Sequence, residues 1–143
     1  MIVKKFSPKE NYLVKLDPGE DLLNSITAFV EKENITSGYV NVMGLARNAR
    51  YAYYNICTKV YEENERDEHY FEIIQCMGNI SVNDGKPFPH LHIAFGDQQG
   101  AIFGGHLLEG TIVEIGEVMI QAFNGEPMER EYDNWYKMTP WKK

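Results

Sequence analysis

The chain contains 143 residues, of which 43% are hydrophobic, 13% aromatic and 24% charged. This composition is typical of one folded domain and excludes an intrinsically disordered segment. The net charge of −7 disfavours nonspecific binding to nucleic acid and to anionic membranes.

The first predicted elements are a strand and a helix. Tyr12, Val14 and Leu16 alternate with Leu13 and Lys15 as the two faces of a strand would, and residues 17–19, Asp-Pro-Gly, end this strand with turn-forming residues. Apolar residues at helical spacing then predict one amphipathic helix over about residues 20–34, with Glu20 and Asp21 in its first turn.

Beyond the helix, β-branched and aromatic residues predict strands as far as Asn124. These strands cover residues 39–43, 50–61, 69–82, 88–95, 101–103 and 111–123. The polar segments predicted to join them as hairpin turns or surface loops are residues 62–68, 83–86 and 96–100. Because short connections join antiparallel neighbours, the predicted fold class is α+β: a mostly antiparallel β-sheet with one main amphipathic helix.

The end of the chain differs from the predicted sheet. We expect a single domain over residues 1–143, with its core at about residues 8–124 and a C-terminal tail at residues 125–143. The large aromatic residues of the tail are Tyr132, Trp135, Tyr136 and Trp141. Because large rings stabilise a fold mainly through burial, we expect the tail to pack onto the domain or onto a neighbouring subunit.

The cysteines and the apolar runs bear on the cellular compartment. The two cysteines, Cys57 and Cys76, cannot form a disulfide framework or a four-thiolate metal site. No apolar run is long enough to span a membrane, and the first residues lack the apolar core of a signal peptide. We therefore expect a cytoplasmic protein with no membrane partner.

Three of the four histidines lie within residues 90–106. On a strand, residues i and i+2 project from the same face, so His90 and His92 are predicted to lie side by side. His106 follows a tight turn and a short returning strand, which brings it back beside them. Three neutral imidazoles would leave the fourth position of a tetrahedral zinc ion open. The alternative is a surface pair of strand histidines, with His106 capping a turn.

Glu117 and Arg47 are the candidate catalytic residues. Glu117 lies between Ile115 and Met119 on an apolar strand, where an unpaired carboxylate would be costly. It could bind a ligating histidine, ligate the metal or act as a general base, or it could simply face solvent at a sheet edge. Arg47 and Arg50 flank a turn and could bind an anion or remain solvated.

Several common catalytic motifs are missing from the sequence. It contains no Gly-x-Ser-x-Gly elbow, no phosphate-binding loop that ends in Gly-Lys-Ser or Gly-Lys-Thr, and no Gly-x-Gly-x-x-Gly motif. These absences disfavour nucleotide chemistry.

The residues around the histidines closely resemble the plants-and-prokaryotes-conserved (PPC) domain. The resemblance is carried by residues 77–81, 85–97 and 104–107, and it extends from Gly19 to about Asn124. It implies a homotrimer, zinc bound by the three histidines, and a DNA-associated role. Plant members follow an Arg-Gly-Arg-Pro AT-hook, which this chain lacks. The histidine pattern is also similar to that of acetolactate decarboxylases.

Three functional hypotheses follow from the sequence and this resemblance. The first is a zinc-binding PPC homotrimer with a DNA-associated or regulatory role, although the net charge disfavours DNA as a partner. The second is a small zinc-dependent lyase or hydrolase that acts on a small polar or anionic ligand at the metal, with Glu117 moving a proton. The third is a trimeric scaffold in which the metal fixes the loop after Gly100.

Overall fold

The computed structural model describes residues 1–142 and contains one eight-stranded sheet and one helix. The elements are β1 (Ser7–Leu16), α1 (Leu22–Lys32), β2 (Gly38–Ala46), β3 (Ala49–Asn55), β4 (Val60–Arg66), β5 (Phe71–Asn83), β6 (Lys86–Gly96), β7 (Ile102–Leu107) and β8 (Val113–Asn124). The strand order is β1-β8-β2-β5-β6-β7-β3-β4, and every neighbouring pair is antiparallel. The predicted antiparallel sheet with one helix is confirmed.

The core lies between α1 and one face of the sheet. Leu22, Ile26 and Val30 are buried at a spacing of four residues, which gives the helix one apolar face. On β6, buried Leu91 and Ile93 alternate with half-buried His90 and exposed His92. Since successive side chains on a strand point to opposite faces, the core contacts of β6 direct its histidines away from the helix.

The helix is shorter than the predicted segment of residues 20–34. Asp21 is its N-cap and not part of the first turn, because its backbone is extended and its carboxylate accepts a hydrogen bond from the Asn24 N–H at 2.9 Å. At the other end, Asn34 has a φ of 50°, which is incompatible with continuing the helix.

The prediction of one strand over residues 50–61, followed by a loop over residues 62–68, is wrong. The chain turns between Asn55 and Val60, and β4 then pairs with β3 along its whole length. The Asn55 side chain stabilises the turn by accepting hydrogen bonds from the N–H groups of Cys57 and Thr58. Lys59 completes the turn at a φ of 58°.

The tail folds back onto the same chain. Bridges join Val82 to Glu129 and Arg130 to Trp141. The ammonium group of Lys59, in the turn after β3, lies 3.4 Å from the centre of the Trp135 ring. The tail therefore contacts the domain through its backbone and this one ring, whereas the side chains of Tyr132, Trp135, Tyr136 and Trp141 all remain exposed.

No helix in the described part of the chain is long and apolar enough to cross a membrane. Both cysteines are free thiols. Cys57 is exposed, whereas Cys76 is buried in the sheet, and burial raises the pKa of its thiol to about 12. The Cys76 thiol is therefore protonated and unreactive at neutral pH.

Candidate metal centre

The hairpin of β6 and β7 brings the three histidines together. His92 pairs directly with His106 across the two strands, and His90 lies two residues before His92 on the same face. The ring centres are separated by 5.3 Å (His90–His92), 5.0 Å (His90–His106) and 5.5 Å (His92–His106). One ring nitrogen of each histidine lies within 4.8 Å of the other two. Small ring rotations would let a single ion contact all three.

Two glycines let the neighbouring backbones approach this hairpin. Gly78 of β5 lies against β6, and a Cβ at this position would collide with the carbonyl oxygen of His90. Gly104 of β7 has a φ of 155°, and a Cβ there would collide with the carbonyl oxygen of Ile93. The glycines therefore fix the spacing between the strands that carry the histidines.

Burial keeps two of the rings uncharged. It is the main cause that lowers the pKa of His90 to about 4, with a further contribution from the positive charge of Arg130. The pKa of His106 is also lowered to about 4, first by burial and then by His92. Both rings are therefore neutral at neutral pH, and the neutral imidazole is the form that ligates metals.

The donor set fits zinc or a similar transition metal. Nδ1 of His106 is buried and has no hydrogen-bond partner among the described residues, which costs about 1–3 kcal/mol if nothing contacts it. Three imidazole nitrogens without a carboxylate match the ligand preference of zinc, whereas calcium and magnesium prefer oxygen. When bound in such a site, zinc acts as a Lewis acid and lowers the pKa of bound water.

A cavity of about 520 Å³ opens beside His90 and His106. Its other lining residues come from the sheet and from the tail: Tyr61, Asn79, Phe88, Arg130, Tyr132, Lys137, Met138, Thr139, Pro140 and Trp141. The Tyr61 ring packs on His106 with their centres 5.2 Å apart. None of these described lining residues is a carboxylate, so the cavity is positively charged and partly aromatic.

Sequence reasoning missed Arg130, which lies in the tail. Its Nη2 is 3.2 Å from Nδ1 of His90, and its Nε donates a hydrogen bond to the Ser81 hydroxyl at 2.7 Å. Nη1 donates to the Thr139 carbonyl oxygen, and Nη2 also donates to Oδ1 of Asn79. The only signal in the sequence that could have indicated Arg130 is the presence of an arginine within the aromatic tail.

The structure does not bring Glu117 or Arg47 to the histidines. Glu117 is exposed on β8, which two strands, β2 and β5, separate from β6. It lines a different cavity together with Lys15 and Met43. The guanidinium of Arg47 forms an ion pair with Glu114 at 2.9 Å and does not line the histidine cavity. Within one chain, neither residue contacts the candidate centre.

The fold and the site together define a class: a β-sheet protein with a three-histidine candidate metal centre beside a small cavity. The profile of the Plants and Prokaryotes Conserved domain, abbreviated PCC or PPC, matches residues 3–124. The chain therefore belongs to this family. The matched region contains all three histidines and ends before Arg130.

Two archaeal structures are similar over the whole chain. The PPC protein of Pyrococcus horikoshii is 34% identical, with a TM-score of 0.92 over 100% of this chain and 98% of that one. A metal-containing protein of Archaeoglobus fulgidus is 33% identical, with a TM-score of 0.93 over 100% of both chains. A candidate DNA-binding protein of Bacteroides thetaiotaomicron is 25% identical, with a TM-score of 0.86 over 96% of both chains.

Two further similarities are partial. The acetolactate decarboxylase of Bacillus subtilis shares the fold at 15% identity, with a TM-score of 0.56 over 87% of this chain and 56% of that one. The bifunctional protein GlmU of a Synechococcus strain is 31% identical over 103 residues. That alignment covers 71% of this chain but only 15% of the length of GlmU.

Proposed function

We propose that this protein is a cytoplasmic PPC homotrimer that binds zinc through His90, His92 and His106 and presents the metal to a small ligand in the adjoining cavity. The observation that carries this proposal is the cluster of three ring nitrogens, one from each histidine, within 4.8 Å of one another. Nδ1 of His106 is also buried with no hydrogen-bond partner in the described part of the chain. The metal-containing relative from Archaeoglobus fulgidus supports it.

The metal content of untagged protein tests the zinc centre. We expect about one zinc ion per chain by mass spectrometry, and none in a variant with His90, His92 and His106 all replaced by alanine. His69→Ala is the matched control, because this fourth histidine is exposed and lies outside the cluster. Wild-type protein that takes up no metal when zinc is offered would refute the centre.

An exposed apolar patch supports assembly into a homotrimer. Leu13, Met43, Met77, Ile115 and Met119 are all exposed, and Leu13 retains 84% of its accessible surface. Leu13 pairs with Met119 across β1 and β8, so the two side chains lie on the same sheet face. Contiguous apolar surface of this kind marks interfaces in proteins.

Light scattering after size exclusion tests the assembly. We expect a mass of three chains for the wild type and of one chain for Met119→Glu, because a charge buried in the interface would be unpaired. Ile56→Asp changes an exposed apolar residue outside the patch and is expected to leave the trimer intact. A monomeric wild type would refute the assembly and leave the metal centre untouched.

Association with DNA is the second candidate, because relatives such as the Bacteroides thetaiotaomicron protein are described in this way. The net charge of −7 opposes it, and Arg47 and Arg50 are both paired with carboxylates of the same chain. Fluorescence anisotropy with duplex DNA over a range of salt concentrations distinguishes the two functions. We expect no binding at physiological salt, whereas a steep salt dependence would favour DNA.

A further inference from the structure

Arg130 is a half-buried cation with no carboxylate partner among residues 1–142. The guanidinium groups of Arg47, Arg50 and Arg66 all form ion pairs with carboxylates. For Arg130, the partners among the described residues are all neutral: Ser81, Asn79, the Thr139 carbonyl and His90. Charges removed from water are normally paired with an opposite charge. The unpaired guanidinium therefore favours an anion in the cavity that it lines.

The contact between Arg130 and His90 is incompatible with metal ligation by His90. A guanidinium only donates hydrogen bonds, so Nδ1 of His90 is the acceptor and, in the neutral ring, Nε2 carries the hydrogen. Nδ1 cannot offer the same lone pair to a metal. If Nε2 ligates instead, the hydrogen moves to Nδ1 and faces the N–H of Arg130. With either nitrogen as the ligand, His90 must give up this contact.

Loss of that contact leaves two N–H groups of Arg130 available. Nε is bound to Ser81, one hydrogen of Nη1 to Thr139 and one hydrogen of Nη2 to Asn79. The remaining hydrogens, one on each terminal nitrogen, then have no acceptor within the part of the chain that the structure describes. Two N–H groups on one planar guanidinium match the two oxygens of a carboxylate. The other three bonds hold the group at the cavity wall.

We propose that Arg130 selects a small organic carboxylate, which the site binds together with the metal. This proposal rests on the proposed zinc centre. The walls of the cavity favour an organic anion over inorganic phosphate, because Phe88, Tyr132 and Trp141 present aromatic surface. A volume of about 520 Å³ lies within the range of small-molecule sites. The only other cation that lines the cavity among the described residues is exposed Lys137.

The test uses the full chain loaded with cobalt(II), whose visible absorption changes when an anion enters the metal coordination shell. Titration with benzoate or acetate is expected to shift the spectrum of the wild type. Arg130→Met is expected to bind cobalt and to raise the Kd of benzoate roughly tenfold or more. Arg130→Lys keeps the charge but not the planar fork, and is expected to give an intermediate Kd. Arg47→Met is the matched control, because Arg47 does not line the cavity and pairs with Glu114.

The outcomes separate this inference from the proposed zinc centre. If the wild type binds no cobalt, both are refuted. If cobalt binds and benzoate has the same Kd in the wild type and in Arg130→Met, only the role of Arg130 is refuted. Phosphate that binds more tightly than the carboxylates would refute the ligand class. Should Arg130→Met fail to fold in a circular dichroism melt, an unchanged Kd in Arg130→Lys would refute the proposal.

Discussion

Two cavities lie on the sheet face opposite α1, and only one of them has the features of a chemical site. Cross-strand pairs place Leu13, Met119, Asn41, Met77 and His92 in one row, because directly paired residues share a face. The cavity at the β1 end measures about 440 Å³, and the cavity at the histidines measures about 520 Å³. Their sizes are therefore similar.

The two cavities differ in how strongly their polar groups are desolvated. At the β1 end, Lys15 and Glu117 are exposed neighbours on adjacent strands, and in a single chain both charges are open to water. At the other end, His90, His106 and Arg130 are all half-buried, and Nδ1 of His106 has no partner among residues 1–142. Burial of unpaired polar groups, more than cavity volume, distinguishes the candidate centre.

Zinc should stabilise the histidine end by the largest amount. At a free zinc concentration 100 times the Kd, the free energy of unfolding should rise by about 2.7 kcal/mol, which corresponds to a Tm increase of about 10 °C for a chain of this size. Differential scanning fluorimetry with zinc and with a chelator measures this shift. His106→Ala should abolish it, whereas Glu117→Gln should retain it. Loss of the shift in Glu117→Gln would contradict the expectation that zinc binds at the histidine cavity without any contribution from Glu117.

Gly78→Ala should disturb the histidine end through the backbone. The new Cβ would collide with the carbonyl oxygen of His90, so β5 and β6 must move apart, at a cost of about 2–3 kcal/mol. Urea denaturation measures the loss. Gly85→Ala is the control: its Cβ would meet no atom within 4 Å, and its φ of 77° should cost only about 1 kcal/mol. Equal losses in the two variants would argue against a rigid strand spacing.

Trp135→Ala should loosen the tail over the histidine cavity. Loss of the contact between Lys59 and Trp135 should cost about 0.5–1 kcal/mol. Hydrogen exchange at the Arg130 backbone N–H, which donates to the Val82 carbonyl, reports on tail opening and should become several-fold faster. Lys59→Met should have the same effect, and the double variant should add nothing further. Additive effects would show that the two residues do not act as a pair.

Glu117→Gln should have the smallest effect on stability. Because the carboxylate is exposed, the change in the free energy of unfolding is expected to stay within about 0.5 kcal/mol in urea denaturation of protein dilute enough to be monomeric. A loss above about 1 kcal/mol under these conditions would show that Glu117 has a structural partner within the chain.

Local sequence patterns predicted most elements of the sheet to within a few residues. The strands predicted at residues 88–95 and 111–123 correspond to β6 (Lys86–Gly96) and β8 (Val113–Asn124). The prediction failed at the turn between β3 and β4, where residues 55–59 contain neither glycine nor proline. There the hydrogen bonds of a single asparagine side chain, Asn55, make the chain reverse.

The sequence by itself determined that His90, His92 and His106 come together. Two of them share a strand face through the two-residue period, and a short hairpin returns the third, so only local geometry is needed. Only the tertiary structure decided which other residues join the three histidines. Arg130 reaches His90 across 40 residues of chain, and Glu117 is kept away by two intervening strands. Tail docking and strand order depend on the packing of the whole domain, and short sequence patterns do not encode that packing.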